Sequence, residues 1–227
     1  ILVSSMRLTT DPLTYVEKMD VYNRRRIVVA TAPVRNATFA VDSAGEVRFA
    51  QGAGYDNVRK LYYREARGQD WRLVNDQSAS GVAMTASGFS EDGKTAYLTV
   101  QVPGGPDEIV AYDPATDTRT PLIRDPLADP WQLIERLGSQ EPAGAWFMSD
   151  KLRSRFFDEK SPTARLYRSL EKAFPGQAVS VTSTTGDGRL AVLKTWSDRN
   201  NGDFYLFDTE KKSADLLYSR REWFDPA

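Results

Sequence analysis

Apolar and polar residues alternate in short runs along most of this chain. In the run "TAYLTVQV", which begins at Thr95, every second residue is aliphatic, and a period of two predicts β-strands. Three segments share one order of features: a short strand, an Asp/Gly turn, an alternating strand, a polar loop, an aromatic strand, a tight turn and a closing strand. They span residues 36–74, 86–123 and 182–218. The pattern predicts three copies of one four-stranded unit.

The spacing of the turns predicts the architecture of these repeats. Gly93 lies 48 residues after Gly45, and Gly188 lies 95 residues after Gly93, close to two such periods. A four-stranded repeat recurring about every 40–50 residues is typical of a β-propeller blade. The missing copy falls between about residues 122 and 181, where a degenerate repeat carries an inserted helix.

The inserted helix is predicted from its end signals and its periodicity. Ser161 is placed to cap it, and Pro162 suits the first helical position. Pro175 and Gly176 follow the last periodic residue and end it. The 3.6-residue stripe consists of Leu166, Tyr167, Leu170, Ala173 and Phe174. We expect the helix to pack on the propeller through this stripe rather than to bind a partner.

These patterns predict an all-β fold made of β-propeller blades, each a four-stranded antiparallel sheet, with one inserted helix near residues 161–174. The expected repeats span about 1–34, 35–84, 85–121, 122–175 and 176–220. A chain of this length holds four to five such repeats.

One stretch matches a nucleotide-binding motif. The residues from Gly88 to Thr95, "GFSEDGKT", fit G-x-x-x-x-G-K-[ST] letter for letter. A phosphate-binding loop must open a helix, whose N-terminus holds the phosphates, whereas a strand pattern follows here. Glu91 and Asp92 would also repel phosphate. We therefore interpret the stretch as a hairpin turn and predict no nucleotide site.

Composition excludes several kinds of chemistry. The 227 residues contain no His and no Cys, so this chain supplies neither the base of a Ser-His-Asp triad nor a thiolate ligand. The net charge of −1 gives no electrostatic footprint for nucleic acid, and no apolar run is long enough to span a bilayer.

The stretch "DRNNGD", Asp198 to Asp203, does not fit a calcium loop, and we predict no metal site and no cofactor. The start "ILVSSMRLTT" is not a signal peptide, and we expect a fragment or a processed chain.

The last third of the chain resembles the final propeller blade of bacterial prolyl oligopeptidase-family serine peptidases, of the acylaminoacyl-peptidase and dipeptidyl-peptidase type. The resemblance rests on the order of several short motifs, and "GFSEDGKTAYL" and "RFFDEKSP" extend it to about two-thirds of the chain. The motifs are Asp187-Gly188-Arg189, Ser197-Asp198-Arg199, Gly202, Phe204 to Asp208, and Trp223 with Asp225-Pro226.

The resemblance implies a larger protein. Members of this family join an N-terminal, usually seven-bladed propeller to a C-terminal α/β-hydrolase domain that holds Ser, Asp and His, so residues 221–227 would begin the linker to that domain. Against seven blades, four to five repeats imply an incomplete propeller. Its open sheet edges would invite pairing, and we expect further chain, a second copy or a bound partner to cover them.

This chain has no G-x-S-x-G, and it would be the non-catalytic C-terminal part of the propeller, which covers the active site and admits short peptides. The candidate residues for contacting peptide ends are Asp107, Glu108, Asp198 and Arg199. The expected partners are the chain's own hydrolase domain and a peptide substrate, and a homo-oligomer is another expectation.

Two other functions fit the same patterns. A stand-alone propeller that serves as a binding or scaffold module would show the same repeat and the same absence of His. A carboxylate-based glycosidase needs two carboxylates at a central pore, and the sequence does not identify such a pair. The compartment stays open between the bacterial periplasm and the cytoplasm.

Overall fold

The computed structural model describes residues 1–6 and 12–221. The chain divides into two compact units, Ile1–Pro130 and Trp131–Ala227. Residues 222–227 of the proposed linker, including Trp223, lie outside the described part of the chain. Among the described residues, no helix is long and apolar enough to cross a membrane.

The first unit contains three antiparallel sheets. The first sheet is β1 (Leu2–Met6), β2 (Leu13–Met19) and β3 (Arg26–Arg35). The second is β4 (Thr38–Val41), β5 (Val47–Ala53), β6 (Arg59–Tyr63) and β7 (Arg72–Asp76), followed by a single helical turn, α1 (Gln77–Ser80). The third is β8 (Met84–Phe89), β9 (Ala96–Val100), β10 (Glu108–Asp113) and β11 (Thr118–Arg124). Strands that are adjacent in sequence are adjacent in every sheet.

The second unit contains two sheets and the longer helix. Its first sheet is β12 (Pro130–Glu135), β13 (Pro142–Met148) and β14 (Leu152–Phe156), and α2 (Pro162–Ala173) follows. Its second sheet is β15 (Ala178–Thr184), β16 (Leu190–Trp196), β17 (Asp203–Asp208) and β18 (Ser213–Ser219). The helix follows the third strand of the first sheet, at the place in the sequence where the second sheet has its fourth strand.

The predicted all-β fold is confirmed, with one difference in strand number. Three of the five sheets have four strands, whereas the sheets β1–β3 and β12–β14 have three strands each within the described residues. The second of these falls in the region that the sequence predicted to be degenerate. The described residues therefore form antiparallel sheets of four or three strands, as an incomplete propeller with one degenerate repeat predicts.

The repeated turns form through the same local contacts. Gly45, Gly93 and Gly188 have φ angles of +81°, +68° and +69°, a region that glycine enters without a steric cost. In the last two turns an Asp directly before the glycine accepts the backbone N–H of the residue directly after it, at 3.1 Å for Asp92 and 3.0 Å for Asp187. The sequence repeat is therefore a repeat of one turn geometry.

The helix prediction is confirmed, with a shifted buried face. The Ser161 hydroxyl accepts the Ala164 N–H at 3.1 Å, and the helix begins at Pro162. The ring of Tyr167 lies 5.7 Å from that of Trp146, and burial raises the pKa of Tyr167 to about 12. The expected stripe member Ala173 is exposed, whereas Leu166 and Phe174 pack beside the buried Leu170. The buried helix residues are Thr163, Ala164, Tyr167 and Leu170.

A buried arginine crosses the core of the first unit. The Arg48 side chain, 11% exposed, donates from Nη1 to Asp42 Oδ2 at 3.0 Å and from Nε to the Arg64 carbonyl at 3.1 Å. It also donates to the Tyr63 hydroxyl. Burial alone would lower the pKa of Arg48, but the hydrogen bonds to Tyr63 and Asp42 outweigh it and raise that pKa. The guanidinium therefore joins the β4–β5 turn to two strands of the sheet.

Candidate functional site

Asp107 ends the loop between β9 and β10, and Glu108 begins β10. The sequence placed both residues in the loop, so Glu108 is corrected to a strand position. The Asp107 N–H donates to Asp129 Oδ1 at 2.8 Å. Partial burial and then the charge of Asp129 raise the pKa of Asp107, while the charge of Arg59 opposes this. Asp107 is thus a half-buried carboxyl held between charges of both signs.

Asp198 and Arg199 lie in the loop between β16 and β17, and both are exposed. The loop is held from within by Asn200, whose Nδ2 donates to Gln177 Oε1 at 2.9 Å and to Asp203 Oδ2 at 2.7 Å. Neither charged side chain makes a hydrogen bond or an ion pair with any residue that the structure describes. The loop therefore presents two unpaired charges on a fixed backbone.

The four sequence candidates belong to two different units. Asp107 and Glu108 are in the first unit, and Asp198 and Arg199 are in the second. Asp107, Asp198 and Arg199 lie in the connection between the second and third strands of their own four-stranded sheets, and Glu108 is the first residue of the third strand. No group of three or more Asp or Glu side chains in the described part of the chain is arranged to hold a metal ion.

A recess in the first unit was not identified from the sequence. Its volume is about 310 Å³, at the lower end of the range for small-molecule sites. It lies where the start of β4, the end of β5, the start of β6 and the start of β8 meet. We call it the Arg59 recess, and its lining is Asn36, Thr38, Gln51, Gly52, Ala53, Arg59, Lys60, Met84 and Thr85.

The charges in the Arg59 recess have one sign. Its lining contains two cations and no carboxylate. The Lys60 Nζ lies 3.1 Å from Asp76 Oδ2, and this hydrogen bond raises the pKa of Lys60. Arg59 is exposed, and its guanidinium has no hydrogen-bond or ion-pair partner in residues 1–6 and 12–221. The free positive charge of the recess therefore comes from Arg59.

A second recess adjoins the first one and shares Lys60 with it. It has a volume of about 320 Å³ and includes both Arg35 and Asp56 in its lining. The Arg35 guanidinium lies over the Tyr55 ring, 3.9 Å from the centroid. This recess is therefore of mixed charge, unlike the Arg59 recess.

The Arg59 recess has no signal in the sequence because its lining residues are far apart in the chain. Thr38 and Thr85 come from the first strands of two different sheets, and Arg59 follows a turn in the first of those sheets. Only the packing of β4 beside β8 brings them to one place. The sequence does not show whether an arginine borders a recess or faces open solvent.

The stretch from Gly88 to Thr95 forms the hairpin between β8 and β9. Phe89 pairs with Ala96 across the turn, and a strand follows, not a helix. The Asp92 carboxylate accepts the Ser90 hydroxyl at 2.7 Å, which lowers the pKa of Asp92. The Asp92 carboxylate thus stabilises the turn from within and places a negative charge where a phosphate would have to bind.

Neither a protein-family model nor a curated protein matches this sequence. Solved structures do match it. A structure from a mechanistic study of two prolyl endopeptidases is 13% identical with a TM-score of 0.61, and the match covers 99% of this chain and 34% of that one. Prolyl oligopeptidase B from Galerina marginata is 12% identical with a TM-score of 0.60, covering 99% and 33%.

The third comparison decides the fold. The β-propeller domain of the Trilobed protease from Pyrococcus furiosus is 9% identical with a TM-score of 0.51, and the match covers 99% of this chain and 69% of that one. The chain has the β-propeller fold. The resemblance noted in the sequence is thereby confirmed at the level of the fold. The propeller segment spans about a third of the length of the two prolyl peptidases that it matches.

Proposed function

We propose that this propeller segment is part of a serine peptidase of the prolyl oligopeptidase family, and that the catalytic α/β-hydrolase domain lies outside the given chain. The observation that carries the proposal is the fold likeness to prolyl peptidases over 99% of the chain. At this low identity the likeness speaks for fold, and function must be argued from sites. The ordered motifs from Asp187 to Asp208 add support that does not depend on the fold comparison.

The proposed reaction is acyl transfer from a peptide to a serine of the missing domain. In such a reaction a histidine removes the serine proton, and backbone N–H groups stabilise the oxyanion. The given chain has no His, so its part is limited to binding and exclusion. We propose that the propeller covers the active site and admits short peptides.

The residues proposed to contact peptide ends are Asp107, Glu108, Asp198 and Arg199. Support comes from the availability of their charges, since Glu108, Asp198 and Arg199 have no ion-pair partner among the described residues. Asp198 and Arg199 also stand on a loop that Asn200 holds in place, so binding would cost little ordering of the backbone.

We expect the double variant Asp198→Asn/Arg199→Gln of the full-length protein to raise KM for charged short peptides about threefold, because exposed charge contacts are worth about 0.2–1 kcal/mol each. The kcat should stay unchanged, since neither residue touches the reacting bond in this proposal. Steady-state kinetics on a set of tripeptides measures both constants.

The matched control is Glu210→Gln. Glu210 is exposed and lies between β17 and β18, at the opposite end of the same sheet. Equal effects of the two changes would contradict the assigned contacts. A folded full-length protein that hydrolyses no short peptide would contradict the proposed function itself.

A further inference from the structure

We propose that the Arg59 recess binds the C-terminal carboxylate of a peptide. This inference rests on the proposed function, which supplies the peptide, and it deepens that function by naming the end of the peptide that is recognised. The recess belongs wholly to the first unit, so its geometry needs nothing from the rest of the chain.

The charge of the recess selects an anion. Lys60 already has the Asp76 carboxylate at 3.1 Å, so its charge is satisfied within the protein. The Arg59 guanidinium has no ion-pair partner among the described residues. Its charge acts on the Asp107 carboxyl, which is not part of the lining, and the lining itself contains no carboxylate. A guanidinium presents a planar fork of donors that matches a carboxylate.

Two hydroxyl groups line the same recess and fit the same ligand. Thr38 and Thr85 come from the first strands of neighbouring sheets, and neither hydroxyl has a hydrogen-bond partner within the part of the chain that the structure describes. A hydroxyl both donates and accepts, so these groups can bind the second carboxylate oxygen or the last peptide N–H. Arg59 and Thr38 are exposed and Thr85 is half-buried. Their side chains have no hydrogen-bond partner among the described residues, so all three are available to a terminal carboxylate and its peptide bond.

The neighbouring recess is a poorer site for the same group. Asp56 contributes a carboxylate to its lining, and that charge would repel a second carboxylate. The Arg35 guanidinium there is already stacked on Tyr55. The two recesses share Lys60, so a peptide whose C-terminal carboxylate lies in the Arg59 recess can place its preceding residues in the neighbouring recess.

The test measures binding rather than hydrolysis. The probes are three fluorescein-labelled tripeptides: Ala-Ala-Ala with a free carboxylate, the same peptide with a C-terminal amide, and Ala-Ala-Asp with a C-terminal amide. Their affinities for the full-length protein are measured by fluorescence anisotropy with the wild type, Arg59→Ala, Arg59→Lys and Arg25→Ala. Arg25 is an exposed arginine of the turn between β2 and β3, and its change serves as the matched control.

The proposal predicts that Arg59→Ala weakens binding of the free-acid peptide about tenfold, the size of one charge-assisted hydrogen-bonded pair. The amide peptide should be unaffected, Arg59→Lys should retain part of the affinity, and Arg25→Ala should change nothing. Equal losses for acid and amide would overturn the proposal. Tight binding of the Ala-Ala-Asp amide would also overturn it, since the recess would then read an acidic side chain.

Failure of this inference and failure of the proposed function give different results. A protein that hydrolyses short peptides but binds acid and amide equally has the proposed function without this recognition. A protein that binds the acid selectively through Arg59 but hydrolyses nothing has the recognition without the peptidase.

Discussion

Gly144→Ala is expected to destabilise the protein by about 3 kcal/mol, at the upper end of the cost of overpacking a well-filled interior. Gly144 lies in β13 and pairs with Phe156 of β14. A Cβ built there would meet the Arg155 carbonyl oxygen and would lie 2.9 Å from the Phe156 Cα. Both obstacles are backbone atoms of the partner strand, so no side chain can rotate away and the strands must separate.

Urea unfolding of the protein, followed by tryptophan fluorescence, measures this effect. Trp146 is 4% exposed and lies in the same strand, so its emission reports on this sheet. The matched control is Gly186→Ala, because a Cβ at Gly186 would have no atom within 4 Å. That variant should stay within about 0.5 kcal/mol of the wild type. A Gly144→Ala protein with an unchanged midpoint would mean that β13 and β14 are not paired as described.

Arg48→Met is expected to cost about 3 kcal/mol, the lower end of the cost of removing one partner from a buried ion pair. The methionine fills much of the volume of the arginine stem, so the loss comes from polar groups. The Asp42 side chain is 6% exposed and would lose its cation. The Tyr63 hydroxyl and the Arg64 carbonyl would lose a donor. Leaving buried polar groups unsatisfied costs more than the net worth of the bonds that they made.

The control for this change is Arg25→Met. Arg25 is exposed, and its side chain makes no hydrogen bond or ion pair with described residues. Urea unfolding should give the same midpoint for this variant and the wild type. If Arg48→Met also left the midpoint unchanged, the guanidinium would not hold the β4–β5 turn to the sheet.

The fold was predictable because it is built from local signals that recur. The Asp-Gly turns at Gly93 and Gly188 need a glycine for a positive φ and an Asp to accept a backbone N–H, and both requirements are visible as letters. The capping Ser161 and the proline after it are equally local. Strand count was less predictable, because no residue type marks the sheets β1–β3 and β12–β14 as having three strands within the described residues.

The candidate site was only partly predictable. The loop between β16 and β17 was found because charged residues at a polar hairpin stand out in sequence. Glu108 was predicted to lie in the loop, whereas it is the first residue of β10. No sequence signal separates the first residue of a strand from the last residue of the loop before it. The Arg59 recess was missed, because it depends on which strands pack side by side and on which arginine is left without a partner.

We propose that this propeller segment serves a serine peptidase whose catalytic residues lie outside it. The most direct measurement is labelling of the folded full-length protein with a fluorophosphonate probe, followed by peptide mapping of the modified residue. The claim predicts one labelled serine, within G-x-S-x-G, beyond residue 227. A folded full-length protein that takes no label, or that is labelled only within residues 1–227, would contradict it.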